Sequence, residues 1–236
     1  SATVSLSFLL DTSKSVSVFT IDDVTNANTL NLSESGEATT RITGRATNAS
    51  EGDTVELMIN NTPYTGTLDS ALAFSIEVDT ADLMADGDTK IAAKLLGSDP
   101  AGNNDVTNQT KTYSIDTTPS SFAMALGTSS NSGLTNDLIT SDTTPTVVGL
   151  GTADDTIIVT FQSTGEILST MVAADGSWSV TPTLGLFDGS RTVSAVVKDP
   201  AGNVSSAQTL TLVIDTSTTK PVFTLACDSG NSASDL

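Results

Sequence analysis

The chain has 236 residues, room for one large or two ordinary domains, and carries 28 acidic residues against nine basic ones, a net charge of −19 with no histidine. That balance excludes the basic patch on which nucleic-acid binding depends, and the missing imidazole removes His-containing triads and His-ligated metal sites. An anionic membrane surface is disfavoured for the same electrostatic reason, and no apolar run reaches the roughly 18 residues that cross a bilayer as a helix. The single cysteine, Cys227, rules out a disulfide within one chain. Of the acids, 22 are Asp and six are Glu, and Val, Ile and Thr are abundant, which is unlike a disordered acidic tail. Asp in such numbers points either to turns or to hard-cation binding through oxygen.

In chain order, SATVSLSFLL (1–10) lacks the basic flank and cleavage site of a signal peptide. It reads as the last strand of a preceding repeat, because ATVSLSFLLDTS (2–13) parallels AQTLTLVIDTS (207–217). Short alternating runs then predict strands near 14–21, 38–43, 54–60, 63–68, 72–78, 88–96 and 106–115. DLMADGD (82–88) has room for one helical turn, ended by Gly87. A second set follows near 119–126, 145–150, 156–162, 167–173, 177–181, 190–198 and 205–214. In it Val193, Ala195 and Val197 mark one face, as do Leu210, Leu212 and Ile214.

The two sets are copies. Asp99-Pro100-Ala101-Gly102-Asn103 recurs as Asp199-Pro200-Ala201-Gly202-Asn203, and YSIDTTP (113–119) recurs as LVIDTST (212–218). The expected organisation is domain 1 over 11–115, domain 2 over 116–214, and the truncated start of a following repeat over 215–236. Seven strands in about 100 residues without cystine predict an all-β fold of tandem immunoglobulin-like sandwiches in an extended array.

Alternating strands place the B–C, D–E and F–G loops at the upper end of each domain and the other loops at the lower end. The top of domain 2 then gathers Asp116, Asp154, Asp155, Asp199 and Asn203, with Asp86 and Asp88 descending from domain 1. The top of domain 1 gathers Asp11, Asp53, Asp99 and Asn103, and at the lower end of domain 2 Asp188 approaches Asp215. Carboxylates so close repel unless a cation neutralises them. Calcium suits irregular sets of six to eight oxygens. The competing reading is turn chemistry, since Pro fixes φ and Gly takes a positive φ in DPAGN. Asp22, Asp23, Asp137 and Asp142 are candidates for a second site. No EF-hand loop or GGxGxD array is present.

Enzymatic readings fare poorly. The Asp-Thr-Ser/Thr triplets at 11–13, 116–118 and 215–217 look like the motif of aspartic proteases, but they recur as linkers about 100 residues apart. Paired carboxylates for glycoside hydrolysis are available, yet one Trp and two Tyr offer little to stack on sugar. Trp178 in ADGSWSV is expected in the core.

The motifs TPTVVG, DTIIVTF, ADGSWSVTP, LFDGSRTVSAVVKDPAGN and LVIDT closely resemble the bacterial Ig-like repeats of giant, type I-secreted RTX adhesins. GDTVELMINNTPYTGTL and FSIEVDTADLMADGDTKIAAKLLGSDPAGN resemble a related subtype. The resemblance implies a calcium-bound extender that projects a terminal ligand-binding region from the bacterial cell surface, for adhesion or biofilm formation. Asp116 and Asp215 match the linker Asp, and Asp99 and Asp199 the first Asp of the DxAGN motif. Pro100 and Pro200 depart from it, as does FLLDTS around Asp11. The expected partners are neighbouring repeats of the same chain, in a monomer that is extracellular and not an enzyme. Alternatives are a glycan- or protein-binding module, or the accessory domain of a secreted hydrolase.

Overall fold

A computed structural model describes residues 10–11, 17–25, 27–98, 101–134 and 137–218. The expectations for 1–9, Asp99, Pro100, Cys227 and the segment after 218 lie outside the described residues.

In domain 1 the strands are β1 (Val18–Ile21), β2 (Thr29–Leu30), β3 (Thr39–Thr47), β4 (Thr54–Ile59), β5 (Thr62–Thr67), β6 (Ala73–Asp79), β7 (Lys90–Ser98), β8 (Asn104–Thr112) and β9 (Ser114–Ile115). The helical turn is α1 (Thr80–Ala85), which stops at Asp86, one residue before Gly87. Domain 2 repeats the plan with β10 (Ala123–Leu126), β11 (Ile139–Thr140), β12 (Val147–Leu150), β13 (Thr156–Phe161), β14 (Glu166–Met171), β15 (Ser177–Val180), β16 (Gly189–Lys198) and β17 (Gln208–Ile214).

Each domain is a sandwich of two mainly antiparallel sheets. The orders are β1-β3-β6 against β5-β4-β7-β8 in domain 1, and β10-β12-β15 against β11-β17-β16-β13-β14 in domain 2, where the two-residue edge strand β11 is parallel to β17. Period-two burial writes the core directly. Ile91, Ala93 and Leu95 point inward on β7, and Val193, Ala195 and Val197 on β16. Phe19, Leu57, Phe74 and Tyr113 belong to one core, and Phe122, Phe161, Trp178 and Leu212 to another, with no shared residue. Full burial of one such aliphatic or aromatic side chain contributes about 1.5 to 3 kcal/mol.

The sequence pattern missed β2 and β11, each only two residues long. Both run parallel to the end of the last strand of their domain, Thr29–Leu30 beside Ser114–Ile115 and Ile139–Thr140 beside Val213–Ile214. The pairing continues into the linkers, where Asp116 N–H donates to Leu30 O at 3.0 Å and Asp215 N–H to Thr140 O at 2.9 Å. The A–B connection of each domain is thereby held beside the linker that leaves that domain.

Candidate metal centre at the domain junction

The F–G turn of domain 2 is built by its own residues. Gly202 has φ of 96°, its N–H donates to Asp199 O at 3.0 Å, and Asp199 N–H donates to Asn203 O at 3.0 Å. Both Asp199 oxygens serve Asn203: Oδ1 accepts from its backbone N–H at 2.8 Å and Oδ2 from its Nδ2 at 2.9 Å. Asn203 Nδ2 also donates to the linker carbonyl, Asp116 O, at 2.9 Å. The same bond recurs at the top of domain 1, from Asn103 Nδ2 to Asp11 O at 3.3 Å. In both domains the Asn that ends the repeated motif therefore donates to the carbonyl of a linker Asp.

Asp155 stands apart. It is 1% exposed, and neither carboxylate oxygen has a hydrogen-bond partner. An ionised carboxylate buried without a donor is costly, and a cation is one compensating partner. Its counterpart in domain 1, Asp53, accepts from Ser50 N–H at 2.8 Å and Ser98 N–H at 3.3 Å. Register accounts for the Ser98 bond. β4 pairs Thr54 with Leu96, whereas β13 pairs Thr156 with Lys198, a slip of two residues relative to the DPAGN loop. An even slip keeps every apolar side chain on its face. Continued one step past its last pair, Thr156 with Lys198, the β13–β16 register brings Asp155 opposite Asp199, whereas the same step past Thr54 and Leu96 brings Asp53 opposite Gly97. Asp155 and Asp199, 1% and 6% exposed, are thus two buried carboxylates from adjacent strands. Facing like charges on neighbouring strands destabilise a sheet.

The remaining sequence candidates are placed as follows. Asp116 is exposed and caps its own linker, accepting from Thr118 N–H at 3.0 Å. Asp154 is exposed with φ of 71°. Asp86 accepts from Lys90 N–H at 3.0 Å and from the Tyr113 hydroxyl at 3.1 Å, while Asp88 accepts from Lys90 N–H at 3.2 Å. Those bonds run within domain 1. Burial, then the neighbouring Asp86, push the Tyr113 phenol well above its usual range.

At the lower end of domain 2 the Asp188 carboxylate accepts from the Thr216 hydroxyl at 2.8 Å, one residue beyond Asp215. Asp215 accepts from Ser217, whose hydroxyl holds its carboxyl below the usual range. Of the suggested second site, Asp22 accepts from Thr43 Oγ1, Asp23 pairs with Lys111, Asp137 accepts from Ile139 N–H and Asp142 from Ser130 Oγ. These four are drawn into separate local bonds.

Sequence reasoning missed the residues of domain 1 that touch domain 2. Leu32 N–H donates to Asn203 Oδ1 at 2.7 Å, and Asn31 Nδ2 donates to Ala201 O at 3.1 Å. Both follow directly on β2, whose pairing carries them to the junction. Among the described residues, no three His, Cys, Asp or Glu side chains are gathered as a ready metal cage. The buried carboxylates nearest the linker are Asp155 and Asp199, and Asn203 holds the Asp116 carbonyl beside the same turn.

Residues 118–216 match the bacterial Ig-like domain family. No curated protein sequence matches the chain. Among solved structures, a Ca2+-stabilized adhesin with which an Antarctic bacterium reaches out and binds ice is 28% identical. That match covers 89% of this chain and 51% of the other at a TM-score of 0.53, so the present chain spans about half of that relative. A 1.5-MDa bacterial ice-binding adhesin, studied for its retention at the host cell surface, is 26% identical over 87% of this chain and 67% of its own, with a TM-score of 0.54. A bacterial immunoglobulin-like domain of the M. primoryensis ice-binding adhesin is 36% identical over 43% of this chain and 98% of its own, with a TM-score of 0.40.

Proposed function

Since residues 118–216 match the bacterial Ig-like domain family and ice-binding adhesins are among the structural neighbours of the chain, we propose that it is a calcium-rigidified spacer of a large adhesin at the bacterial surface, holding a terminal binding region away from the cell. The observation that carries this reading is the buried Asp155 carboxylate without a donor, beside Asp199 at the end of domain 2 that meets domain 1. Calcium there supplies the positive charge that the two carboxylates lack, and Asp116 brings the linker into the same oxygen set. The description of a relative as Ca2+-stabilized supports the choice of cation.

The role is mechanical. Each sandwich separates its two ends by the length of its strands, and the acidic ends repel until a cation joins them. A Ser/Thr-rich linker alone leaves such a joint loose. A spacer needs neither a catalytic group nor an aromatic anchor, and the one Trp sits in the core. Millimolar extracellular calcium matches the affinity class of such sites, about 0.1 to 1 mM.

Small-angle X-ray scattering of the chain in millimolar calcium and in excess EGTA tests the proposal. A stiff, long particle that becomes flexible on chelation is expected. An unchanged profile would reject calcium as the stiffening agent.

A further inference from the structure

We propose that the central joint also carries a metal-independent latch, in which the Asn31–Leu32 loop of domain 1 is read directly by the Ala201–Asn203 turn of domain 2. This deepens the spacer reading and rests on it. Three hydrogen bonds make the latch: Leu32 N–H to Asn203 Oδ1 at 2.7 Å, Asn31 Nδ2 to Ala201 O at 3.1 Å, and Asn203 Nδ2 to Asp116 O at 2.9 Å.

Both halves are preformed. On the domain 1 side, Asn31 Oδ1 accepts from Glu34 N–H at 3.0 Å, and Glu34 Oε2 accepts from Asn31 N–H at 3.1 Å. This reciprocal pair fixes the loop with the Leu32 N–H and the Asn31 amide turned toward domain 2. On the domain 2 side, Asp199 grips the Asn203 backbone and side chain, and Asn203 is only 3% exposed. The amide of Asn203 has its oxygen committed to domain 1 and its nitrogen committed to the linker and to Asp199. Asn203 is thus a positioning residue that ties a cation-binding carboxylate to the orientation of the neighbouring domain.

The latch is specific for domain order. The equivalent bonds of Asp116 to Leu30 and of Asp215 to Thr140 place Ser141 and Asp142 of domain 2 where domain 1 has Asn31 and Leu32. Ser141 cannot make the Asn31 amide bond, and Asp142 N–H already donates to Thr140 Oγ1 at 2.9 Å. The lower end of domain 2 is therefore not built to make the same latch with a domain whose top resembles its own.

The test is the distance distribution between spin labels at Ser70→Cys and Ser163→Cys in a Cys227→Ser background, with Asn31→Asp as the perturbation. Asn31→Asp retains the acceptor for Glu34 N–H, removes the donor to Ala201 O, and leaves Asp116, Asp155, Asp199 and Asn203 intact. In EGTA the variant is expected to raise the open-to-closed ratio roughly three- to tenfold over wild type, as the loss of one hydrogen bond would. The double change Asn31→Ser with Leu32→Asp, which copies the lower end of domain 2, is expected to open the joint at least as far. Equal distributions for wild type and variants in EGTA would overturn the latch. A wild-type distribution indifferent to calcium would reject the cation instead, and the comparison of variants in EGTA would still decide the latch.

Discussion

Replacing Asp155 with Asn should reverse sign with calcium. Without the ion, wild-type domain 2 carries a buried carboxylate with two unpartnered oxygens next to Asp199. An unsatisfied buried polar group costs about 1 to 3 kcal/mol, and more when charged, so the neutral amide should leave the domain at least as stable as wild type in EGTA. With about 5 mM calcium and a Kd of about 0.1 to 1 mM, wild type gains RT ln(1 + [Ca]/Kd), about 1 to 2.3 kcal/mol. For a domain of this size that is a rise in midpoint of roughly 4 to 18 °C. The variant should lose most of it. The only Trp of the chain, Trp178, lies in the core of domain 2, so its fluorescence follows that domain alone. An Asn variant that keeps the full calcium shift, or melts well below wild type in EGTA, would remove Asp155 from the cation site.

Gly149→Ala should lower the Trp178-reported midpoint and leave domain 1 untouched. A Cβ there would collide with the Ala123 carbonyl and come within 2.5 Å of the indole, and overpacking of this kind costs about 1 to 3 kcal/mol. Glu166 tests the acid limb: bonds from the Thr183 hydroxyl and from the Thr183 and Leu184 backbone hold its carboxyl below the usual range. A depressed folded pKa contributes stability above the unfolded value, near 4.5, and loses it as pH falls through the folded value. Glu166→Gln should therefore be less stable than wild type at neutral pH, with the gap closing under acid, as Trp178 fluorescence during acid titration would record.

Most of the fold was legible because a two-residue period with apolar inward positions leaves few alternatives, as on β7 and β16. The repeated DPAGN and IDT segments also located both F–G turns and both linkers. What stayed hidden was set by pairing between strands. β2 and β11 are too short to show a period, yet their parallel pairing delivers Asn31 and Leu32 to the joint. The difference between Asp53 and Asp155 was invisible for a related reason. Both stand before a Thr that opens equivalent strands, β4 and β13, and a slip of two residues against the next strand changes no apolar pattern. That slip brings the Ser98 N–H to Asp53 and gives Asp155 no equivalent donor.

The magnitudes decide how the joint behaves. Three latch hydrogen bonds contribute at most about 0.5 to 1.5 kcal/mol each. Ordering even two linker residues costs about 2 to 4 kcal/mol, so the latch alone holds the closed joint in balance with open ones. Calcium adds about 1 to 2.3 kcal/mol at millimolar concentration by the linkage above, which multiplies the closed-to-open ratio by roughly 6 to 50. The latch selects the orientation and the cation fills it. Stiffness should consequently rise gradually across the millimolar range, with the direction of domain 2 relative to domain 1 unchanged throughout.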